Sequence, residues 1–305
     1  MTISRRQFIE NSLITGVGLS SGLLKSSESK GLPKLCILHT NDVHSRIEPF
    51  PMDGGRNQGL GGAARRAALI KKIRSEEDNV LLLDSGDIFQ GTPYFNFFGG
   101  ELEIKLMSKM GYDLATIGNH DFDGGIDGFH KQLPHANFDF VSANYDFSNT
   151  ILSGIVKTHK IFMKGGLKVG VFGLGIELNS LVPKELYKET VYNDPLTHGQ
   201  RIATLLKQDE KCDLVICLSH LGYQYRENKV SDVILAQNTS DIDIILGGHT
   251  HTFMSKPDVR RNLKGDEVII NQVGWAGIML GRLDVEFEHA EKGKCISCKN
   301  SLINP

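Results

Sequence analysis

The sequence predicts an α/β fold in which strands and helices alternate along the chain. Short apolar runs such as residues 80–84 and 214–218 have the length of buried strands, and stretches such as residues 63–74 and 101–110 have helical periodicity. Five of the apolar runs lead directly into polar residues, as strands of α/β sheets do at ligand sites. Because no repeat, low-complexity linker or shift in composition interrupts this pattern, one α/β domain is the simplest interpretation.

The predicted elements follow one another closely from residue 35 onward. The first helix, residues 63–74, is expected to bury an apolar side made of Ala67, Leu69, Ile70 and Ile73. A closing hairpin is predicted from residues 283–287 and 295–303, around a turn at residues 291–294. The other strands are predicted at residues 35–39, 80–84, 114–117, 138–141, 169–172, 214–218 and 242–246.

Composition narrows the class of protein. A chain of 305 residues is long enough for one large domain with a well-packed core. Its 40% hydrophobic and 23% charged residues are typical of a globular protein. The formal net charge of −2 and the lack of a basic stripe give no electrostatic basis for binding nucleic acid, so no nucleic-acid partner is expected.

The N-terminal residues have the character of a targeting signal. Ser4-Arg5-Arg6-Gln7-Phe8 resembles the twin-arginine export motif, and a mildly apolar segment follows at residues 13–24. That segment is shorter than the roughly 18 residues that a membrane-spanning helix requires, so no integral membrane span is expected. Residues 1–30 are therefore predicted to be a signal segment of a periplasmic or otherwise exported protein. A disordered basic N-terminus is the alternative.

The chemistry of the chain is concentrated where the five strands end. The polar groups there include Asp, Asn and His side chains, which are metal ligands, and carboxyl ends of neighbouring strands converge on one edge of a sheet. Seven such ligands exceed the three or four that one zinc site takes from a protein, which suggests two ions sharing a carboxylate. The candidates, in chain order, are Asp42, His44, Asp87, Asn119, His220, His249 and His251, with His120 as a further group.

The ordered set of strand-end motifs resembles the calcineurin-like metallophosphoesterases, and within them the catalytic domain of the 5′-nucleotidase family. The motifs lie at residues 39–44, 61–65, 84–87, 118–123, 218–222, 247–252 and 280–283. The resemblance spans nearly everything after residue 33 and implies a catalytic domain at residues 33–305. It also implies a four-layer αββα sandwich, in which two mixed sheets lie between helices and the metals lie at the strand ends.

The resemblance assigns roles to these residues. It implies two divalent ions, for which Mn, Zn, Fe and Co all remain candidates, with Asp87 bridging them. One ion would be held by Asp42, His44, Asp87 and His251, and the other by Asp87, Asn119, His220 and His249. His120 would stabilise the charge that develops on the phosphoryl group, with Asp123 orienting its imidazole. The alternative for Asp123 is a helix cap after the loop.

The implied function is a metal-dependent phosphoric ester hydrolase, a phosphomonoesterase acting on small, nucleotide-like phosphate esters. Two alternatives stay open: a hydrolase of cyclic phosphate or sulfur esters on the same fold, and a non-catalytic metal-binding module that acts with a partner chain. In the family, a second C-terminal domain binds the nucleoside, and this chain is expected to end before it. A separately encoded specificity domain is therefore a candidate partner.

Overall fold

Two β-sheets lie face to face between layers of helices. The computed structural model describes residues 34–227, 229–287 and 294–304, so the predicted signal segment at residues 1–30 lies outside the described residues. Within those ranges the strands are β1 (Lys34–Thr40), β2 (Val80–Asp84), β3 (Leu114–Thr116), β4 (Asp139–Val141), β5 (Tyr145–Asp146), β6 (His159–Lys164), β7 (Leu167–Gly175), β8 (Val191–Tyr192), β9 (Leu214–His220), β10 (Ile244–Gly247), β11 (Asp258–Arg261), β12 (Glu267–Asn271), β13 (Met279–Phe287), β14 (Lys294–Cys298) and β15 (Ser301–Leu302).

The helices connect parallel strands and cover the outer faces of the sheets. In the described part of the chain they are α1 (Ala63–Glu76), α2 (Pro93–Phe98), α3 (Glu101–Met110), α4 (Gly125–Gln132), α5 (Lys184–Tyr187), α6 (Pro195–Thr204) and α7 (Asp232–Asn238). A π-helical turn at Leu205–Asp209 extends α6. None of the helices in the described ranges combines the length and the apolar character needed to cross a bilayer.

Both sheets mix parallel and antiparallel strands. The described strands of the first sheet are ordered β14-β13-β1-β2-β3-β4, with β15 paired to β13, and β1 to β4 are parallel. Those of the second sheet are ordered β11-β12-β10-β9-β7-β6, with four central parallel strands and antiparallel edges. Strands β5 and β8 form a separate antiparallel pair. Each strand predicted from the sequence is present, although several bounds shift by a few residues.

The core has three layers because alternate residues of a strand face opposite sides of a sheet. Leu35 and Ile37 of β1 lie between the two sheets, together with Val169 and Val171 of β7. Cys36 and its alternate neighbours face the other way, toward α1, α3 and α4. A third cluster fills the space between the second sheet and α6 and α7. This arrangement confirms the expected four-layer αββα sandwich.

Helix α1 packs its predicted apolar side against the core and also buries Arg66. Its buried residues are Ala63, Arg66, Ile70 and Ile73, whereas Ala67 and Leu69 are only partly buried at the margin of the core. The buried residues follow the i, i+3, i+4 spacing of one helix face. The sequence prediction used apolar residues alone and therefore left out the arginine on this face. The prediction was therefore right for Ile70 and Ile73, and Ala67 and Leu69 pack against the same core, whereas the buried Arg66 was not predicted.

The predicted closing hairpin is present, with one interruption. Strand β14 pairs antiparallel with β13 from Leu283↔Cys298 to Phe287↔Lys294, whereas the turn lies outside the described residues. The chain then leaves the ladder, and β15 pairs with the start of β13. At the break, the Asn300 side chain exchanges hydrogen bonds with Asn271 of β12 and donates one to the Met254 carbonyl. The single predicted strand at residues 295–303 is therefore two short strands.

Candidate metal centre

The strand-end residues of both sheets meet at one edge of the sandwich. The loops after β1, β2 and β3 come from the first sheet, and the loops after β9 and β10 come from the second. Stacking the two sheets with these carboxyl ends on the same side brings loops from distant parts of the sequence into contact. All nine residues singled out in the sequence lie in this one group of loops.

The first cluster consists of Asp42, His44 and His251. The Nε2 atoms of the two imidazoles lie 3.0 Å apart, and His251 Nε2 lies 3.3 Å from Asp42 Oδ1. Two ring nitrogens that face each other share at most one proton, so at least one of them presents a lone pair. Lone pairs and a carboxylate oxygen directed at a common point form a donor set that fits a divalent cation.

The second cluster consists of Asp87, His220 and His249. His220 Nδ1 donates to the Ser85 carbonyl at 2.7 Å, which fixes the ring and leaves Nε2 as the free nitrogen. Nε2 is buried, lies 3.0 Å from Asp87 Oδ2, and has no partner in hydrogen-bond geometry among the described residues. Asn119 joins this cluster, since its Oδ1 lies 2.9 Å from His249 Nδ1. An orphaned buried nitrogen beside a carboxylate is satisfied by a cation, so these residues fit a metal ion.

Asp87 lies between the two clusters. Its Oδ2 is 3.0 Å from His220 Nε2 and 3.8 Å from His44 Nε2, whereas its Oδ1 accepts the backbone N–H of His120 at 2.8 Å. One carboxylate therefore faces donors of both sets. Its contacts are those that a bridging ligand would make.

The ligand loops have an unusual backbone. Five of the seven candidate ligands are non-glycine residues with positive φ: Asp42 (51°), His44 (51°), Asp87 (54°), His249 (68°) and His251 (51°). Residues 42 and 44 are therefore not extended, and their side chains nevertheless join one cluster. Left-handed backbone costs about 1–2 kcal/mol per residue outside glycine, and such strain is characteristic of functional sites.

Asp121 holds two of the ligand loops together, and sequence reasoning missed it. Its buried carboxylate accepts the backbone N–H groups of Asp87 (3.1 Å) and Gly118 (2.8 Å) on one oxygen. The other oxygen accepts those of Ile88 (2.9 Å) and Phe89 (3.2 Å). The loop after β2 is thus fastened to the loop after β3. Its position beside Asn119 and His120 was the only signal in the sequence, because three of its four partners are 32 to 34 residues away.

The loop after β12, which sequence reasoning also missed, supports the first cluster through contacts with Asn41 and His251. Asn41 accepts the Val273 N–H at 3.0 Å and donates to both the Gly274 carbonyl and Asp42 Oδ2 at 2.6 Å. This loop places Trp275 parallel to the His251 imidazole, with an interplanar angle of 8° and ring centroids 5.8 Å apart. Nothing in the local sequence predicts this stack, which joins two loops from different parts of the chain.

Glycine at position 118 is required by the close approach of the loops. A Cβ built there would overlap the Asp87 carboxylate and lie 2.5 Å from the Asp87 backbone nitrogen and 2.8 Å from His220 Cε1. Any side chain would therefore push the shared carboxylate away from the second cluster.

His120 and Asp123 form a separate pair at the mouth of the site. His120 Nδ1 lies 2.8 Å from Asp123 Oδ2, and the side chain of His120 remains 40% exposed. Asp123 does not cap α4, whose N-cap position is Gly124 without a side-chain cap. The contact with His120 thus favours the orienting role over the helix cap. The ring of His120 lies 5.2 Å from that of His44, between centroids.

The charges of the site are strongly coupled. Burial alone would raise the pKa of the Asp87 carboxyl, but His220, His44 and His120 outweigh it and hold that pKa well below its usual range. Burial alone would lower the pKa of His220, but Asp87 and Asp42 outweigh it and raise the pKa to about 10. Burial, assisted by the charge of His220, lowers the pKa of His249 to about 4. The hydrogen bond to Asp123 raises the pKa of His120.

The sequence model of the calcineurin-like phosphoesterases matches residues 36–253, which is more than half of the chain. The chain belongs to this family.

Within the family, the chain is similar to proteins named 5′-nucleotidase. It is 34% identical over 301 residues to the snake venom 5′-nucleotidase of Gloydius brevicauda, covering 91% of this chain and 49% of that protein. It is 35% identical over 283 residues to the 5′-nucleotidase of Vibrio cholerae, covering 85% and 50%. The crystal structure of a 5′-nucleotidase precursor from Thermus thermophilus superposes with a TM-score of 0.81 at 31% identity, covering 89% and 55%. The chain thus spans about half the length of these relatives.

Proposed function

We propose that this chain hydrolyses phosphomonoesters of the nucleotide type with two divalent cations held at the meeting point of the sheets. The observation that carries the proposal is the position of Asp87, whose Oδ2 lies within 4 Å of a histidine nitrogen of each cluster. Nucleotide-like substrates are proposed because the relatives that match at 34% and 35% identity are named 5′-nucleotidases.

In this proposal the two clusters are the two ion sites. Asp42, His44 and His251 would hold one ion, and His220, His249 and Asn119 the other, with Asp87 shared. The carboxylates provide negative charge, the imidazoles provide nitrogen donors, and the Asn oxygen fills a position without adding charge. Two bound cations would supply Lewis acidity toward the phosphoryl oxygens and lower the pKa of the attacking water.

His120 and Asp123 supply what the cations do not. The Asp123 carboxylate fixes the His120 ring through Nδ1 and favours its protonated form, which leaves a cationic N–H donor for an oxygen of the substrate. Because His120 is 40% exposed and its backbone is fixed by the bond to Asp87, it can reach a substrate without leaving its position. Such a donor stabilises the charge that develops on the phosphoryl group.

A substrate screen tests this proposal. The chain, loaded in turn with Mn²⁺, Zn²⁺, Fe²⁺ and Co²⁺, would be assayed for phosphate release from nucleoside monophosphates, sugar phosphates and p-nitrophenyl phosphate. A cyclic nucleotide and p-nitrophenyl sulfate would be assayed alongside. We expect phosphomonoesters to be hydrolysed fastest with at least one of these metals. Faster hydrolysis of the cyclic or sulfur ester, or no hydrolysis with any metal, would contradict the proposal.

We also propose that the protein works outside the cytoplasm, with residues 1–30 as a twin-arginine signal. The motif Ser4-Arg5-Arg6-Gln7-Phe8 supports this proposal. Export of a reporter fused to residues 1–35 should require the arginine pair, so the Arg5→Lys, Arg6→Lys variant should remain in the cytoplasm. A separately encoded specificity domain stays a candidate partner, which co-purification from the native envelope fraction would examine.

A further inference from the structure

Two opposite charges are buried where α1 meets α3, and neither takes part in the chemistry described above. Arg66 of α1 and Glu103 of α3 are each 3% exposed, and both line a cavity of about 10 Å³, which has room for about one water molecule. The Nε and Nη1 atoms of Arg66 and both carboxylate oxygens of Glu103 have no hydrogen-bond partner among the described residues. Because burying charge is costly, a pair of this kind in an apolar core is a candidate for a functional role.

The guanidinium of Arg66 lies against the loop after β12, which supports the first cluster. A Cβ built at Gly277 would overlap Arg66 Nη1, so only glycine leaves the guanidinium its place against this loop. The residue before it, Ala276, donates its backbone N–H to the Asp42 carbonyl at 2.7 Å, and Trp275 stacks on a histidine of the same cluster. Arg66 therefore packs against a three-residue segment that contacts two candidate ligands.

Arg66 also lies close to the hydrogen bonds that hold the loop after β2. Tyr112 lines the same cavity, and its hydroxyl lies 2.8 Å from Thr40 Oγ1. Thr40 donates to Asp84 Oδ2 at 2.5 Å, and the other Asp84 oxygen accepts the backbone N–H of the residue before Asp87 at 2.9 Å. Burial raises the pKa of both Tyr112 and Asp84, and the positive charge of Arg66 opposes that rise. One buried cation is thus adjacent to the supports of the first cluster and of Asp87.

Fastening α1 to α3 is the alternative role for this pair. A buried pair of charges often stabilises a protein no more than apolar residues of similar volume would. Glu103 also accepts no hydrogen bond from Arg66, whereas Arg66 contacts Gly277 of the loop that supports the first cluster. The contacts of the guanidinium therefore favour a role toward the metal centre, and Glu103 compensates its charge across the cavity.

We propose that Arg66 is a positioning residue for the metal centre, which holds the loop after β12 and the loop after β2 in the arrangement that binds two ions. The proposal rests on the two ion sites of the function proposed above, and it adds a residue that touches neither ion nor substrate. Asp42 and Asp87 have left-handed backbone, which persists only where the surrounding structure holds it in place. A buried guanidinium beside both loops provides such support.

Manganese binding to two variants tests this role without catalysis. Arg66→Met, Glu103→Leu removes both charges, so the net charge of the chain does not change and no member of the pair is left alone in the core. Such a replacement is tolerated far better than the loss of one member, so this double variant should fold. Arg66→Lys keeps the charge opposite Glu103 but lacks the planar guanidinium that lies against Gly277. Lys72→Met, Glu76→Leu alters an exposed pair of the same helix and is the matched control.

Calorimetric titration with Mn²⁺ measures the effect on the ion sites. Both Arg66 variants should bind at least one of the two ions roughly 10-fold more weakly than the wild-type chain, the low end of the usual effect of losing a group that orients ligands. The control should bind both ions with wild-type affinity. Denaturant unfolding in the presence of chelator shows that each variant is folded. Wild-type affinity in either folded Arg66 variant would overturn the proposal, because the guanidinium would then make no difference to the ligand loops.

Metal binding and hydrolysis, measured side by side, separate this proposal from the function on which it rests. If the Arg66 variants lose Mn²⁺ affinity while the wild-type chain hydrolyses no phosphate ester, the proposed function fails and the positioning role stands. If the wild-type chain hydrolyses phosphate esters while the variants bind Mn²⁺ as tightly as it does, the positioning role alone fails. A wild-type chain that bound no Mn²⁺ would overturn both.

Discussion

The two clusters differ in how far solvent reaches them. In the second cluster the His220 side chain is fully buried and Asp87 is 2% exposed, whereas in the first cluster the His251 side chain is 40% exposed. His220 of the second cluster is fixed by a hydrogen bond to the Ser85 carbonyl, and His44 of the first by one to the Phe89 carbonyl, whereas the His251 ring stacks on Trp275. His220 is therefore held more firmly before any ion binds than His251, which is the more open of the two to solvent.

What the clusters share is a strained backbone and one carboxylate. Left-handed residues occur in both, and Asp87 faces histidines of both. The difference between the clusters thus lies in how His220 and His251 are buried and held, and not in their chemistry. It predicts that variants of the two clusters have unequal effects, whereas changes at Asp87 or removal of metal affect both together.

Removing metal should have the largest effect. Because both clusters are proposed to act through bound cations, dialysis against a strong chelator should reduce hydrolysis of p-nitrophenyl phosphate to the rate without enzyme. Adding Mn²⁺ back should restore activity, which distinguishes metal loss from unfolding. A thoroughly demetallated sample that kept its original rate of hydrolysis would contradict the proposal that both clusters act through bound cations.

In the metal-free protein, replacing His220 should lower the free energy of unfolding more than replacing His251. His220→Ala leaves the buried Asp87 carboxylate without its nearest side-chain partner, and losing one member of a buried pair costs on the order of 3–5 kcal/mol. His251→Ala changes a half-exposed side chain and should cost roughly 1 kcal/mol or less. Denaturant unfolding in the presence of chelator measures both. Equal losses of unfolding free energy in the two variants would contradict the difference between His220 and His251.

His120 should behave as a member of neither cluster. Replacing it by Asn should lower kcat by about 10²-fold or more, the usual scale for one transition-state contact, while metal content stays at the wild-type level. His135→Asn, which changes a partly exposed histidine beside Glu101, is the control and should leave kcat unchanged. If metal and rate were lost in proportion, His120 would be a ligand.

The smallest effect is expected at Trp275. Trp275→Leu removes the stack on His251, and a stack of this kind is worth about 0.5–1.5 kcal/mol. The weaker of the two measured metal affinities should therefore fall a few-fold, with the tighter one unchanged. Phe253→Leu, an exposed aromatic that packs against Gly274 in the same loop, is the matched control. A fall in the tighter metal affinity would contradict the assignment of Trp275 to the first cluster.

The sequence predicted the site best where a candidate ligand directly follows a strand. The seven ligand candidates could be found because each comes within a few residues of a buried apolar run, and the structure places them in one group of loops. It failed where a contact joins distant parts of the chain. Asp121 and Trp275 act through partners in other loops, so no local pattern marks them. The buried Arg66 was missed for a related reason, since its place in the core depends on what α1 packs against.

The metal content of the Asp87→Asn variant decides whether one carboxylate serves both clusters. Asn has the shape of Asp but no charge, so a shared carboxylate lost in this way should weaken both sites together. Elemental analysis should find about two ions per wild-type chain, as a two-metal site requires, and fewer than about one in the variant, with activity lost. A wild-type chain that saturates with one ion, or an Asp87→Asn chain that still holds two, would contradict the shared site.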